Sequence, residues 1–301
     1  MKKIISVVFL FLIITSISYF MYSKYSSKSI TLAKEVTSPE DCVRRHFLNS
    51  VLLEKCLGVK MKDDSIFTLN NCEVIIANKM LNGFEVKMVN NNDTLNSFFS
   101  FTSAQNDKKS ILGFTSTQKV NSKSVFLQTA TAILQKAETF FNDEEKVYGF
   151  KTKMERTADF YLLSLKNTDN RKPTTEEVYK LIGNVENYIA LKQGKIKNPP
   201  MLNVYEEELN KYTTMVAVPT TKQIEGQGNI YFKQLVDGNL LTAIVKGGSF
   251  TVEQAEAQLK IYLTEYKKTS PAIPYQTLIT NRLQEKDTTK WITKLNYPVF
   301  Y

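Results

Sequence analysis

Apolar and polar stretches follow one another in the same order twice in the second half of the chain. The first copy opens with the apolar run 160–165, continues through a helical pattern over 174–193, and closes in two further apolar runs that end at Pro219. The second copy repeats this order between Leu240 and Pro298. Each copy is predicted to form a strand, a helix and two more strands. Two such units can bury a shared core and leave a cleft on the pseudo-twofold axis between them, which favours small-molecule binding.

The pattern between residues 30 and 147 is of another kind. Short apolar runs separated by turn-forming residues predict an antiparallel sheet, with short helices before it. Apolar residues at helical spacing over 133–141 predict a long helix after it. This order predicts a helix-grip domain over 30–147. The duplicated domain follows over 150–301, with repeats 150–222 and 228–301, so the predicted fold class is α+β.

The N-terminus has its own pattern, because residues 4–23 carry no charge and are mainly apolar. About 19 helical residues cross the hydrocarbon core of a bilayer. The pattern predicts a membrane anchor over 1–23, with 4–22 in the bilayer as a transmembrane helix, and a tether over 24–29. A cleaved signal peptide is the alternative, although no small-x-small site follows the run and its last residues, 19–22, are bulky. The predicted localisation is a single-pass membrane protein whose globular part lies outside the cytoplasm.

Charge and composition narrow the classes of function. The formal net charge is +9, but the basic residues are interspersed with acidic ones. We therefore interpret the excess as a solubility feature, and no nucleic-acid partner is predicted. The three cysteines, Cys42, Cys56 and Cys72, allow at most one disulfide and leave the redox compartment open.

Several residues of the second domain occur in the order of a known family. The segment 245–251 combines a strand end, a Gly-rich turn and a helix start. Ala255 and Leu259 follow in the helix, Pro274 precedes the next strand, and 291–298 is the closing strand. In this order they resemble the GyrI-like, or AraC-type effector-binding, family of small-molecule-binding domains. The resemblance implies two strand-helix-strand-strand repeats around a ligand pocket.

The first domain resembles the START-like (SRPBCC, polyketide cyclase) helix-grip domains. The tryptophans usual near the first helix of that group are absent, since the only tryptophan is Trp291. The resemblance therefore predicts the fold of residues 30–147 and leaves open whether they hold a working pocket.

The GyrI-like resemblance also implies a glutamate on the closing strand that projects into the pocket and recognises cationic ligands. Counting back from Pro298, this chain has Lys294 at that position. A lysine facing the cleft would prefer an anionic group, whereas at a solvated strand end it would bind nothing. Strand alternation places Ile292 and Asn296 on the same face as Lys294, and Met215 occupies the matching position of the first copy.

Aromatic residues complete the predicted lining of the cleft. Tyr205 ends the strand after Pro200, where the family often carries a tyrosine. The further candidates are Tyr275, Phe232 and Tyr161. Buried aromatic side chains are also common in plain cores, so a packing role is the alternative for each of them.

Catalytic patterns are weak in this sequence. His46 is the only histidine, which gives no support for a Ser-His-Asp or Cys-His arrangement. Neither the paired-cysteine spacing of a zinc site nor a phosphate-binding Gly loop occurs, and no metal or cofactor is predicted. We predict a non-enzymatic protein that binds a small amphipathic ligand, anionic if Lys294 faces the cleft. A hydrolase of small reactive molecules, or a scaffold with filled clefts, are the alternatives.

Overall fold

The computed structural model describes residues 30–116, 118 and 124–300. They belong to two compact units, which divide between Asp143 and Glu144. Each unit combines helices with one antiparallel sheet, so the fold is α+β.

The first unit contains a seven-stranded sheet with the strand order β1-β7-β6-β5-β4-β3-β2. Its strands are β1 (Ile30–Val36), β2 (Met61–Asp63), β3 (Ile66–Leu69), β4 (Cys72–Met80), β5 (Gly83–Asn90), β6 (Asp93–Ala104) and β7 (Lys109–Ser116). Its helices are α1 (Glu40–Leu48), α2 (Ser50–Leu57) and α3 (Val125–Phe141). Two short helices thus follow the first strand, and the long helix follows the last.

Helix ends and aromatic packing explain why the first unit folds in this way. The side chain of Asn49 accepts a hydrogen bond from the Leu52 backbone N–H and caps the start of α2, and Gly58 ends that helix with φ of 59°. In the core, the rings of Phe47 and Phe84 stack with 5.4 Å between their centroids. The helices are therefore fixed to the sheet by large apolar side chains.

The second unit contains an eight-stranded sheet with the order β12-β9-β11-β10-β14-β15-β13-β8. Its strands are β8 (Thr152–Arg156), β9 (Tyr161–Asp169), β10 (Met201–Glu208), β11 (Lys211–Pro219), β12 (Ile230–Gln234), β13 (Asn239–Lys246), β14 (Tyr275–Leu278) and β15 (Ile292–Val299). Its helices are α4 (Glu144–Tyr148), α5 (Thr175–Leu191) and α6 (Ser249–Glu265), with a 3-10 turn at Thr288–Lys290.

The strand order of the second unit is that of a duplication. Strand, helix, strand, strand occurs as β9-α5-β10-β11 and again as β13-α6-β14-β15. The two copies meet in the middle of the sheet, where β10 and β14 pair through Met201 with Thr277 and Leu202 with Gln276. Both helices have 17 residues. A pseudo-twofold axis therefore passes between the two central strands.

Local sequence fixes where each of the two long helices begins. Before α5, Thr174 and Glu177 form a capping box, in which each side chain accepts a hydrogen bond from the backbone N–H of the other residue. Before α6, Gly247 has φ of 142°, and a Cβ there would lie 2.8 Å from the Thr251 hydroxyl oxygen. Glycine is therefore required at the turn that directs β13 into its helix.

One part of the predicted fold needs correction, namely the N-terminal transmembrane helix. The predicted anchor, residues 4–22, lies outside the described residues. Within the described ranges, no helix is long and apolar enough to cross a membrane. The architecture is thus α+β with two antiparallel sheets and no membrane-spanning element in its described part, and the single-pass localisation built on the anchor is withdrawn.

Candidate functional site

The two long helices of the second unit lie against the same face of the sheet. Side chains alternate between the two faces of a strand. Leu202 and Leu278 pack in one core cluster with Val178 and Ile182 of α5. The alternate strand residues that include Leu202 and Leu278 therefore face the helices. Gln276, two residues from Leu278, faces the same side. The central strands thus form the floor of a cleft between α5 and α6.

Two adjoining cavities occupy this cleft. The first, of about 280 Å³, is bounded by the starts of both helices and includes Lys172, Tyr179, Glu253 and Arg282. The second, of about 370 Å³, lies beyond the short β10–β14 pairing and is lined by Asn203, Tyr205, Lys260, Ile273, Pro274, Tyr275 and Tyr297. Four residues border both cavities, namely Leu202, Val204, Glu256 and Gln276.

Glu256 is a carboxylate, whereas the equivalent position in the first copy of the repeat is apolar. It is the eighth residue of α6, and the eighth residue of α5 is Ile182, a core side chain that is 2% exposed. Its neighbours one turn away on α6, Val252 and Leu259, are both buried. The helix therefore directs Glu256 toward the core side and not toward solvent.

Gln276, on the sheet, is likewise a polar residue where the first copy has an apolar one. It pairs across the axis with Leu202, and both residues follow a proline by two positions. Its side-chain amide donates a hydrogen bond to the Glu256 carboxylate at 3.0 Å. The apolar Ile182 and Leu202 of the first copy are thus replaced by a bonded polar couple, Glu256 and Gln276, in the second.

Burial raises the pKa of Glu256, because the cleft disfavours its charged form more than the Gln276 hydrogen bond and the Lys260 charge favour it. The pKa of Tyr297 is also raised, first by burial and then by the negative charge of Glu256. At the rim, Lys172 of the first copy forms an ion pair with Glu253 of α6 at 2.8 Å. The inner carboxylate therefore has a hydrogen-bonding amide but no ion pair among the described side chains.

Arg282 brings a positive group to the first cavity. Its guanidinium lies 4.9 Å from the Trp291 ring centroid and donates a hydrogen bond to the Thr293 hydroxyl at 2.8 Å. Its backbone N–H donates to the Tyr179 hydroxyl at 2.9 Å, which anchors the loop to α5. Burial lowers the pKa of Arg282. In the described part of the chain, this half-buried cation has no carboxylate within ion-pair distance.

Asn203 carries an unpaired acceptor on the other face of the sheet, since it alternates with the helix-facing Leu202. Its side-chain nitrogen donates to the Pro274 carbonyl at 2.8 Å, and this bond fixes which end of the amide carries the oxygen. The Oδ1 atom is buried and has no hydrogen-bond partner in residues 30–116, 118 and 124–300. A buried acceptor without a donor costs free energy, so Asn203 is a locally unfavourable position in the sheet.

Lys294, the residue that the sequence assigns to recognition, lies on the opposite face of the sheet from Glu256. Its ammonium forms an ion pair with Glu155 of β8 at 2.5 Å, and this bond is the main reason why the pKa of Glu155 is lowered. Asn296, on the same face, is buried and donates to the Tyr275 carbonyl and the Thr277 hydroxyl. Ile292 is half-buried there.

The other predicted lining residues separate into two groups. Tyr205 and Tyr275 border the second cavity. Tyr161 and Phe232 contact one another at the far edge of the sheet, with ring centroids 6.3 Å apart. The Lys233 ammonium lies 3.1 Å from the sulfur of Met215. Tyr205 and Tyr275 thus border a cavity that Glu256 also borders, although strand alternation directs their side chains to the other face of the sheet. A binding role for any of the eight residues stays a prediction.

Comparisons with known proteins give a likeness in structure over part of the chain. No family profile matches it, and no curated protein matches it. The EcmrR C-terminal domain matches at 15% identity with a TM-score of 0.43, covering 50% of this chain and 98% of that one. EcmrR in a complex with DNA matches at 16% identity with a TM-score of 0.45, covering 58% of this chain and 64% of that one. SAV2435 bound to tetraphenylphosphonium matches at 15% identity with a TM-score of 0.35, covering 50% of this chain and 94% of that one. The START-like resemblance of the first unit stays a prediction.

Proposed function

We propose that the second unit is a ligand-binding domain, of the GyrI-like kind, that holds a small amphipathic molecule with a positively charged group between its two repeats. The observation that carries this proposal is Glu256. A carboxylate occupies an apolar helix face at the position where the first copy has Ile182. Burying a carboxylate without a cation costs free energy, and proteins keep such groups mainly where they do chemistry or bind a partner.

The surroundings of Glu256 suit an amphipathic cation. Leu202 and Val204 form an apolar floor, and Tyr297 supplies a ring surface near the carboxylate. Aromatic faces attract cations, and apolar surface accounts for most of the affinity of a small ligand. The two cavities support binding over the alternative of a scaffold whose clefts are filled by side chains. The ligand charge in this proposal is opposite to the one expected from Lys294.

The test uses two probes of the same shape and opposite charge, tetraphenylphosphonium and tetraphenylborate, in titration calorimetry. The native protein is expected to bind the cation more tightly than the anion. Glu256→Gln removes the charge and keeps the shape, and it should weaken the cation by about ten- to a hundredfold, because a buried charged interaction contributes about 1.5–3 kcal/mol. Glu176→Gln is the matched control, since Glu176 is an exposed carboxylate on α5. This variant should bind both probes as the native protein does.

A third variant separates this proposal from the recognition role expected for Lys294. Lys294→Met should leave the affinities for both probes unchanged, since Lys294 lies on the other face of the sheet and is occupied by Glu155. A loss of anion binding in Lys294→Met, together with normal behaviour of Glu256→Gln, would place recognition at Lys294 and refute the role of Glu256.

A further inference from the structure

The cleft of the second unit carries a positive group and a negative group at separate places. Glu256 lies where the two cavities adjoin, and Arg282 lies on the wall of the first cavity. The rim pair of Lys172 and Glu253 is already neutralised at 2.8 Å. The inner two groups are not neutralised by an ion pair within the residues that the structure describes.

From this arrangement we infer that the ligand is amphoteric, with a cationic group that binds Glu256 and a carboxylate that binds Arg282 in the same cavity. This inference rests on the proposed function, because it assumes that the cleft binds a ligand at Glu256. It adds the second charged end. An apolar zwitterion of the size of a dipeptide fits this description.

The cationic end follows from Glu256. Its carboxylate borders the first cavity, as Arg282 does, and accepts a hydrogen bond from the Gln276 amide at 3.0 Å. No described side chain forms an ion pair with it. A cationic group in the cavity would restore electrostatic stabilisation that the partly buried carboxylate lacks.

The carboxylate end follows from Arg282. A guanidinium presents five N–H donors in a planar fork that matches a carboxylate with two parallel bonds. Here one nitrogen bonds the Thr293 hydroxyl, and the plane lies over Trp291 at 4.9 Å. The stacking and the hydrogen bond fix the direction of the side chain, and the remaining donors can reach a ligand in the first cavity. An anion would also restore electrostatic stabilisation that the half-buried cation lacks.

The experiment uses three forms of one dipeptide with the full-length protein in titration calorimetry. Diphenylalanine has both charged ends, diphenylalanine amide has only the ammonium, and N-acetyl-diphenylalanine has only the carboxylate. The free dipeptide is expected to bind about ten- to a hundredfold more tightly than either blocked form, since each block removes one charge-assisted contact.

Arg282→Met assigns the carboxylate end, because it removes the charge and keeps an unbranched side chain over Trp291. In this variant the free dipeptide should bind no more tightly than its amide does, and the amide should bind as it does to the native protein. The ligand series in the native protein decides the question even if this variant folds poorly.

The outcomes separate the inference from the proposed function. If the amide binds in a manner that depends on Glu256 but the free dipeptide gains nothing, the amphoteric inference is wrong and the proposed function stands. The inference is equally wrong if tetraphenylphosphonium binds and no dipeptide does. If neither the dipeptides nor tetraphenylphosphonium bind, the proposed function fails, and the inference fails with it.

Discussion

The double variant Glu256→Ile/Gln276→Leu is expected to be more stable than the native protein and to bind a cationic ligand about a hundredfold more weakly. These substitutions install the residues that the first copy has at the same places, Ile182 and Leu202. Replacing a buried polar or ionic couple by apolar side chains of similar volume often stabilises a protein, by about 1–4 kcal/mol. The loss of binding follows because the cleft then has no carboxylate to meet the cation.

A double-mutant cycle measures this trade between stability and binding. Glu256→Ile alone should be less stable than the double variant, since it leaves the Gln276 amide without the acceptor it bonds at 3.0 Å. Urea denaturation can be followed by the fluorescence of Trp291, the only tryptophan and a buried residue of the second unit. If the double variant is the least stable of the set, Glu256 and Gln276 stabilise the fold, and the expected trade between stability and binding is refuted.

The first unit is expected to lose about 3 kcal/mol of stability as the pH falls from 6.5 to 4, through protonation of His46. The imidazole is fully buried, its Nδ1–H donates to the Cys42 carbonyl at 2.9 Å, and Nε2 has no partner within the described chain. The rings of Phe140 and Phe141 pack against it at 5.2 and 5.3 Å. Burial, with smaller contributions from nearby Arg45 and Lys55, lowers the pKa of His46 from 6.5 to about 4.

The sign of this effect follows from proton binding. Between pH 4 and 6.5 the unfolded chain binds a proton at His46 and the folded chain does not, so each step toward lower pH favours unfolding. Because His46 is the only histidine, one imidazole resonance in an NMR titration reports its pKa without assignment. His46→Gln should lose this part of the pH dependence. A midpoint near 6.5 in the folded protein would contradict the burial of a neutral ring.

The repeat could be predicted from the sequence because it depends on patterns that survive divergence. Strand-forming runs, helical spacing and the closing prolines Pro219 and Pro298 gave the right order of elements in both copies. The turn at Gly247 could be predicted for the same reason, since a backbone position with positive φ favours glycine. Local signals of this kind act over a few residues and depend less on distant contacts than the facing of a side chain does.

The position of the charged group could not be predicted in the same way. Alternation correctly placed Ile292, Lys294 and Asn296 on one face of β15, but which face meets the helices depends on packing between distant elements. In the structure, Leu295 and Tyr297 are buried residues on the helix-facing side of β15. Lys294 pairs with Glu155 on the opposite face of the sheet. Glu256 had a usable signal, because aligning the two helices residue by residue places it opposite Ile182 in an apolar stripe.

If a cation binds at Glu256, the pKa of this carboxyl group must respond to the ligand. Carboxyl carbon NMR of the protein labelled at glutamate, with Glu256→Gln to assign the resonance, gives the pKa with and without saturating tetraphenylphosphonium. We expect a pKa above the ordinary value of about 4.3 in the free protein, because the cleft disfavours the charged form. The bound cation should lower that pKa, since it stabilises the carboxylate. A pKa that the ligand leaves unchanged would show that the cation does not bind at Glu256.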